Sequence, residues 1–203
     1  MRKKTPDLPI LGEPLIPEFA NTLYNGRSTR LDVLDRPAWI YAWFQQAPCA
    51  ADLPALRRVR TEDSDRLRVL RDAVRSLLMR SSEMDNNLAV QVINNAAGLA
   101  ASRRLLVVTA GSELGVVNSF QETGIDRLLS IVALHVIDAV DRGQFGLNQV
   151  CGRPGCDLFY FRDHHRRRYC NSRCANADRQ ARYNTRLEAR PMSRPGIAIR
   201  APR

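Results

Sequence analysis

Four cysteines, Cys151, Cys156, Cys170 and Cys174, are spaced C-x4-C-x13-C-x3-C. Two close pairs joined by a short loop let four thiolates converge on one tetrahedral Zn²⁺, each sulfur about 2.3 Å from the metal. Residues 157–169, between the pairs, read D-L-F-Y-F-R-D-H-H-R-R-R-Y. That stretch has too few apolar side chains to fold alone, so a metal crosslink would provide the missing stability. Disulfides are the other use for paired cysteines. The spacing favours metal, and the N-terminus has a basic start with no apolar run behind it, so no secretory leader is expected. Cys49 is the odd thiol, which fits a reducing, cytoplasmic compartment. His164 and His165 lie in the loop, but four cysteines already fill the shell and the histidines read as surface residues. A closed shell leaves no position for water, so the zinc is expected to be structural.

Charge concentrates around the same motif. The formal net charge is +10. Residues 1–150 hold 18 Lys plus Arg against 17 Asp plus Glu, whereas residues 151–203 hold 13 Arg against 4 acids. Such asymmetry is the electrostatic footprint of a polyanion partner. The exclusive use of Arg strengthens that reading, because guanidinium forks suit phosphates and guanine edges. No stretch approaches the roughly 18 apolar residues of a membrane helix. No Ser-His-Asp order, Gly-rich phosphate loop or paired catalytic carboxylate stands out, so an enzyme is not expected.

The elements that position these residues are mostly helical. Pro37 opens a run carrying Trp39, Ile40, Trp43 and Phe44, with Asp35 as N-cap candidate and Pro48 as its stop. Residues 61–80 form the clearest amphipathic helix, burying Leu67, Leu70, Val74, Leu77 and Leu78 and leaving Arg66, Arg68, Arg71 and Arg75 outside. Asp85 caps a helix through Leu88, Val92, Ala96 and Leu99, with Asn94 and Asn95 on its polar face. Residues 105–109 and 114–120 read as a β-hairpin. A strongly apolar helix runs from Gly124 to Asp141 through Leu128, Leu129, Val132, Val136, Ile137 and Val140. Gly143 and Gly146 then mark a boundary. Beyond it come a knuckle at 151–156, a short strand around Phe159, and a helix from Asn171 or Ser172 to about Arg190. That order describes a treble-clef-like finger. Arg179, Arg182, Arg186 and Arg190 recur on one helix face, where like charges cost stability until an anion neutralises them.

The motif C-G-R-P-G-C-D-L-F-Y-F-R-D with R-R-R-Y-C-N-S-R-C-A-N-A resembles the CGNR zinc finger family. Those proteins place an N-terminal domain called ABATE before the finger. F-A-N-T at 19–22, R-P-A-W-I-Y-A-W-F and I-N-N-A-A resemble that domain. The signature Cys-Gly-Asn-Arg appears as Cys174-Ala175-Asn176-Ala177, so the signature arginine is absent. The resemblance implies four zinc ligands at the four cysteines and a stress-induced transcription regulator that binds DNA through its finger.

The expectation is therefore an α+β, mostly helical domain over residues 1–145 with a small β-hairpin. A treble-clef-like, four-cysteine zinc finger with a basic helix follows over 146–203, with a tail after Pro191 that needs a partner to order it. Nucleic-acid contacts are expected from Arg166, Arg167, Arg168, Arg173, Arg179, Arg182, Arg186 and Arg190. Tyr160 and Tyr183 are candidates for stacking on bases, which keeps RNA or single strands open beside duplex DNA. The competing reading is a zinc-stabilised module that meets an acidic protein. Asn21, Thr22 and Arg27 mark where the N-terminal domain could hold a small ligand as a sensor; the alternative is that Asn21 and Thr22 satisfy turns or caps. A two-fold homodimer is the default for a regulator on duplex DNA.

Overall fold

The computed structural model describes residues 8–188, apart from 27–28, 51–52, 54–55, 57, 80–84, 110 and 122. The core is helical. Helices α1 (Leu15–Ala20), α2 (Pro37–Gln46), α3 (Thr61–Met79), α4 (Asn86–Ala97) and α5 (Gly124–Asp141) enclose one apolar cluster that includes Phe19, Leu34, Ile40, Trp43, Leu67, Leu70, Val74, Ile93, Leu128 and Val132. Between α1 and α2 lies a short antiparallel pair, β1 (Leu23–Asn25) and β2 (Arg30–Asp32). A second pair, β3 (Ser102–Val108) and β4 (Leu114–Phe120), joins α4 to α5. The finger follows as β5 (Asn148–Val150), β6 (Phe159–Phe161) and α6 (Ser172–Glu188). No helix among the described residues is long and apolar enough to cross a membrane.

Most helix limits obey their local signals. Asp85 accepts from the Asn87 amide at 3.0 Å and starts α4, and the hairpin and α5 fall where the pattern places them. Asp35 is not the cap of α2: Arg36 holds that position without a side-chain cap, while Asp35 pairs with Arg68 at 3.2 Å. Pro37 itself, at the first helical position, needs no amide partner there.

Three stripes are drawn differently by the tertiary structure. Arg71 and Arg75 on α3 are buried, at 2% and 5% exposure, instead of lying outside. Arg71 is held by Asp32 at 2.5 Å and Asp72 at 2.9 Å, and such pairing is what lets a guanidinium leave water. On α4 the buried face is Ala89, Ile93 and Ala96, so Leu88 points outward, while Leu99, expected on the same helix, lies past its end at Ala97 and is exposed. On α5, Ile137 and Val140 are likewise exposed, the buried positions running from Leu128 to Val136.

Candidate metal centre and its basic surface

The finger begins as an edge. Strand β5 pairs with β6 in antiparallel register, Val150 opposite Phe159, and the knuckle 151–156 forms the connection between them. The knuckle is tight because Gly155 adopts φ +79° and Gly152 donates its amide to the Arg168 carbonyl at 2.8 Å. A Cβ on Gly152 would stand 3.0 Å from that carbonyl, so the approach favours glycine. Cys151 and Cys156 bracket this turn, Cys170 precedes α6, and Cys174 lies in its first turn. Asn171 fixes the helix start, accepting from the Cys174 amide at 3.0 Å.

Four sulfurs meet here, all within 4.8 Å of one another. Cys156 and Cys170 are 3.9 Å apart, Cys170 and Cys174 3.6 Å, and Cys174 and Cys156 3.9 Å. A tetrahedron with zinc–sulfur bonds of about 2.3 Å has edges of about 3.8 Å, so the spacing fits Zn²⁺. Cys151, Cys170 and Cys174 are buried and Cys156 is half-buried. The Cys170 amide points at Cys151 Sγ from 3.5 Å and Arg153 at Cys174 Sγ from 3.9 Å, which stabilises negative sulfur. Cys156 is the readiest thiolate, pulled down to about 5 chiefly by its hydrogen bond with Cys170. Cys170 is pushed up by that same bond and by burial, and burial also raises Cys151. A cation that replaces the protons resolves this competition, and four sulfurs leave no open position, so the site suits structural zinc. His164 and His165 are exposed and stand outside the sulfur cluster.

The finger is clamped to the helical domain along β6. In this register the amides and carbonyls of Phe159 and Phe161 face away from β5, and an uncovered edge of that kind is costly when buried. Asn21 supplies both partners for Phe159: its Nδ2 donates to the Phe159 carbonyl at 2.9 Å and its Oδ1 accepts the Phe159 amide at 2.7 Å. Glu13 accepts the Phe161 amide at 3.0 Å, and Arg167 donates to the Phe161 carbonyl at 3.0 Å. Arg167 also pairs with Glu13, donates to the Cys170 carbonyl at 3.2 Å and lies 4.9 Å over the Tyr160 ring. From α3, Arg75 reaches the Ala20 and Leu23 carbonyls at 2.7 and 2.8 Å and Asp157 at 3.3 Å. Its guanidinium also sits 5.0 Å from the Phe159 ring. Burial pulls its pKa below the ordinary value, with Asp157 opposing. Asp157 in turn accepts the Asn25 amide at 2.9 Å.

Among the expected site residues, Asn21 and Thr22 are thus brought inside. Asn21 is 1% exposed with its amide spent on Phe159, and Thr22 donates its hydroxyl to the Phe19 carbonyl at 2.7 Å. Arg27 and Arg190 lie outside the described residues, as does the tail beyond 190. Arg167 is drawn away from solvent by its ties to Glu13 and the loop carbonyls, unlike its neighbours. Arg166, Arg168, Arg173, Arg179, Arg182 and Arg186 are all exposed. Arg182 is partly neutralised by Asp178 at 2.8 Å, which also accepts from the Tyr169 hydroxyl at 2.7 Å. Tyr160 is buried with its hydroxyl donated to the Arg167 carbonyl at 3.0 Å, so it packs and does not stack, whereas Tyr183 is exposed. A hollow of about 340 Å³ opens beside the start of α6, lined by Arg166, Arg168, Asn171 and Ser172 among others. Glu13 and Arg75 carried no motif in the sequence, and Arg153 and Asp157 stood inside the cysteine motif without a role assigned to them. The one hint was the unusual density of arginine on an otherwise amphipathic helix.

Family models match most of the chain. The ABATE model, described as "Putative stress-induced transcription regulator", matches residues 13–142. The CGNR zinc finger model matches residues 149–187. No curated protein matches the chain.

Proposed function

Since the chain belongs to the ABATE family and carries a CGNR zinc finger behind that domain, we propose that it is a zinc-dependent DNA-binding transcription regulator, one of a family described as stress-induced, and not an enzyme. One observation carries the reading. Arg166, Arg168, Arg173, Arg179 and Arg186 are exposed around the zinc-anchored helix and have no acidic partner among the described residues. Uncompensated guanidinium groups on a rigid helix and its leading loop suit a phosphate backbone, and the metal fixes where that helix starts. The hollow beside the start of α6 sets Arg166 and Arg168 beside Asn171 and Ser172, a favourable place for a phosphate. The N-terminal domain serves as scaffold: Asn21, Glu13 and Arg75 hold β6, so the basic helix is carried on a fixed platform.

The test is binding of the zinc-loaded full chain to duplex DNA over a salt series. Deleting the finger is a poor control, because it would strip β6 from Asn21 and Glu13. The full-length control replaces Arg166, Arg168, Arg179 and Arg186 by Gln. Five phosphate contacts give a log–log salt slope of about −4.5, and losing four leaves about −1. Equal slopes for both proteins would remove the arginines from the interface. A stronger hold on RNA than on DNA would select the RNA-binding reading. No nucleic-acid binding at all would select the protein-interaction module.

A further inference from the structure

Helix α6 outruns the finger that anchors it. Its one buried residue is Cys174 in the first turn, and residues 179–188 are exposed on every side. That stretch rises about 15 Å. A helix with no body to lie on leans on local side-chain pairs. Gln180 Nε2 donates to Asn184 Oδ1 at 3.0 Å, the Thr185 hydroxyl donates to the Ala181 carbonyl at 3.1 Å, and Asp178 holds Arg182 at 2.8 Å. Gln180 and Asn184 are four residues apart, so they stand one above the other on a single face. Arg179 and Arg186, seven residues apart, share a neighbouring face and have no acidic partner among the described residues.

Guanidinium groups on phosphates fix a helix on DNA but carry no sequence information. Amides do. In the major groove adenine shows its N7 acceptor beside its N6 donor, and a carboxamide matches both. The Gln180–Asn184 bond uses one amide hydrogen of Gln180 and the carbonyl of Asn184, which leaves Gln180 Oε1 to accept and Asn184 Nδ2 to donate. The geometry points to Gln180 and Asn184 as the base-reading residues, recognising adenine in the major groove of duplex DNA. This rests on the DNA-binding reading above and adds which groove and which base. The groove is about 12 Å wide and takes a helix that is bare all round, between two walls of phosphate. Unpaired Arg179 and Arg186 beside the amides, with Arg166 and Arg168 on the leading loop, supply the matching positive charge. The major groove of A-form RNA is too narrow to be read this way. Asp178 does not oppose the phosphates, because Arg182 and the Tyr169 hydroxyl already occupy it. The bond between the two amides sets their planes before DNA arrives, which lowers the ordering cost of binding.

The experiment is selection of duplexes from a random library by the zinc-loaded full chain, followed by titration of the recovered site. That site should contain an adenine at which any other base weakens binding by about 5- to 150-fold, the worth of one bidentate base contact. Replacing this adenine by 7-deazaadenine, which lacks the N7 acceptor, should weaken wild type by about fivefold or more. Gln180→Ala and Asn184→Ala should each flatten the preference while keeping the salt slope, zinc content and helicity of wild type, since both side chains are in solvent and alanine favours a helix. Arg166→Gln should do the reverse, making the log–log salt slope shallower by about 1 and leaving the base preference in place. Steep, salt-dependent binding with no preferred base, or with one other than adenine, would overturn this inference and leave the DNA-binding reading standing. So would an adenine preference that survives both alanine variants or ignores 7-deazaadenine. No binding to duplex DNA, or tighter binding to RNA, would overturn both.

Discussion

Replacing Asn21 by alanine should uncouple the finger from the helical domain, and the size of the effect follows from the edge of β6. The side chain is 1% exposed and satisfies two backbone groups of Phe159, at 2.9 and 2.7 Å. Alanine leaves a buried amide and a buried carbonyl without partners, each costing about 1–3 kcal/mol. Some relaxation of a short strand is expected, so about 3 kcal/mol is a fair central value, a change of more than a hundredfold in the folding equilibrium. For a chain of this size that corresponds to a fall of about 6–12 °C in Tm. The assay is urea unfolding of the zinc-loaded protein with two reporters: fluorescence of Trp39 and Trp43 in the helical domain, and zinc release to a chromogenic chelator. Wild type should lose both signals together. In Asn21→Ala zinc release should move to lower urea and precede the fluorescence change. If stability changes by less than about 1 kcal/mol and the two transitions still coincide, Asn21 does not carry the junction and the argument from strand-edge satisfaction fails.

Two further outcomes test the metal centre and the buried carboxylate. Cys170→Ser should abolish stoichiometric zinc and also lower the Tm of the tryptophan-bearing domain, because Leu158 packs against both apolar clusters and Phe159 is held by Asn21 and Arg75; full zinc content in the variant would refute the ligand assignment. Chelation of wild type should expose four fast thiols at pH 8 while Cys49, pushed up to about 12 by burial and the nearby Glu18 charge, reacts only on unfolding. Burial also raises the pKa of Glu18, against backbone bonds from Glu13 and Leu11, and its Oε2 has no hydrogen-bond partner among the described residues. A raised carboxyl pKa contributes stability that is full below the ordinary value of 4.5 and is lost as pH rises through the folded value. Wild type should therefore gain stability relative to Glu18→Gln as pH falls from 8 toward 5, read by paired urea titrations in zinc buffer. A pH-independent difference would mean that Glu18 is not titrating inside the fold.

Features whose causes are local were readable in the chain before any fold was known. Four cysteines at fixed spacing define a metal site because a tetrahedron needs only four sulfurs and a turn, and Asn171 and Asp85 announce helix starts by satisfying amides two or three residues away. The hairpin and α5 were legible for the same reason, since period and turn residues lie within a few positions of one another. Other features depend on partners distant in the chain and emerge only when the elements pack. Arg71 and Arg75 look like solvated residues on a helical wheel until Asp32 and Asp157 arrive to pair them. Asn21 looks like a pocket residue until Phe159, 138 positions away, offers both halves of a peptide edge. The same distance effect took Arg167 from the basic surface and gave it to Glu13. A buried polar group is stable only with its partner in place, and no local pattern says where along the chain that partner lies.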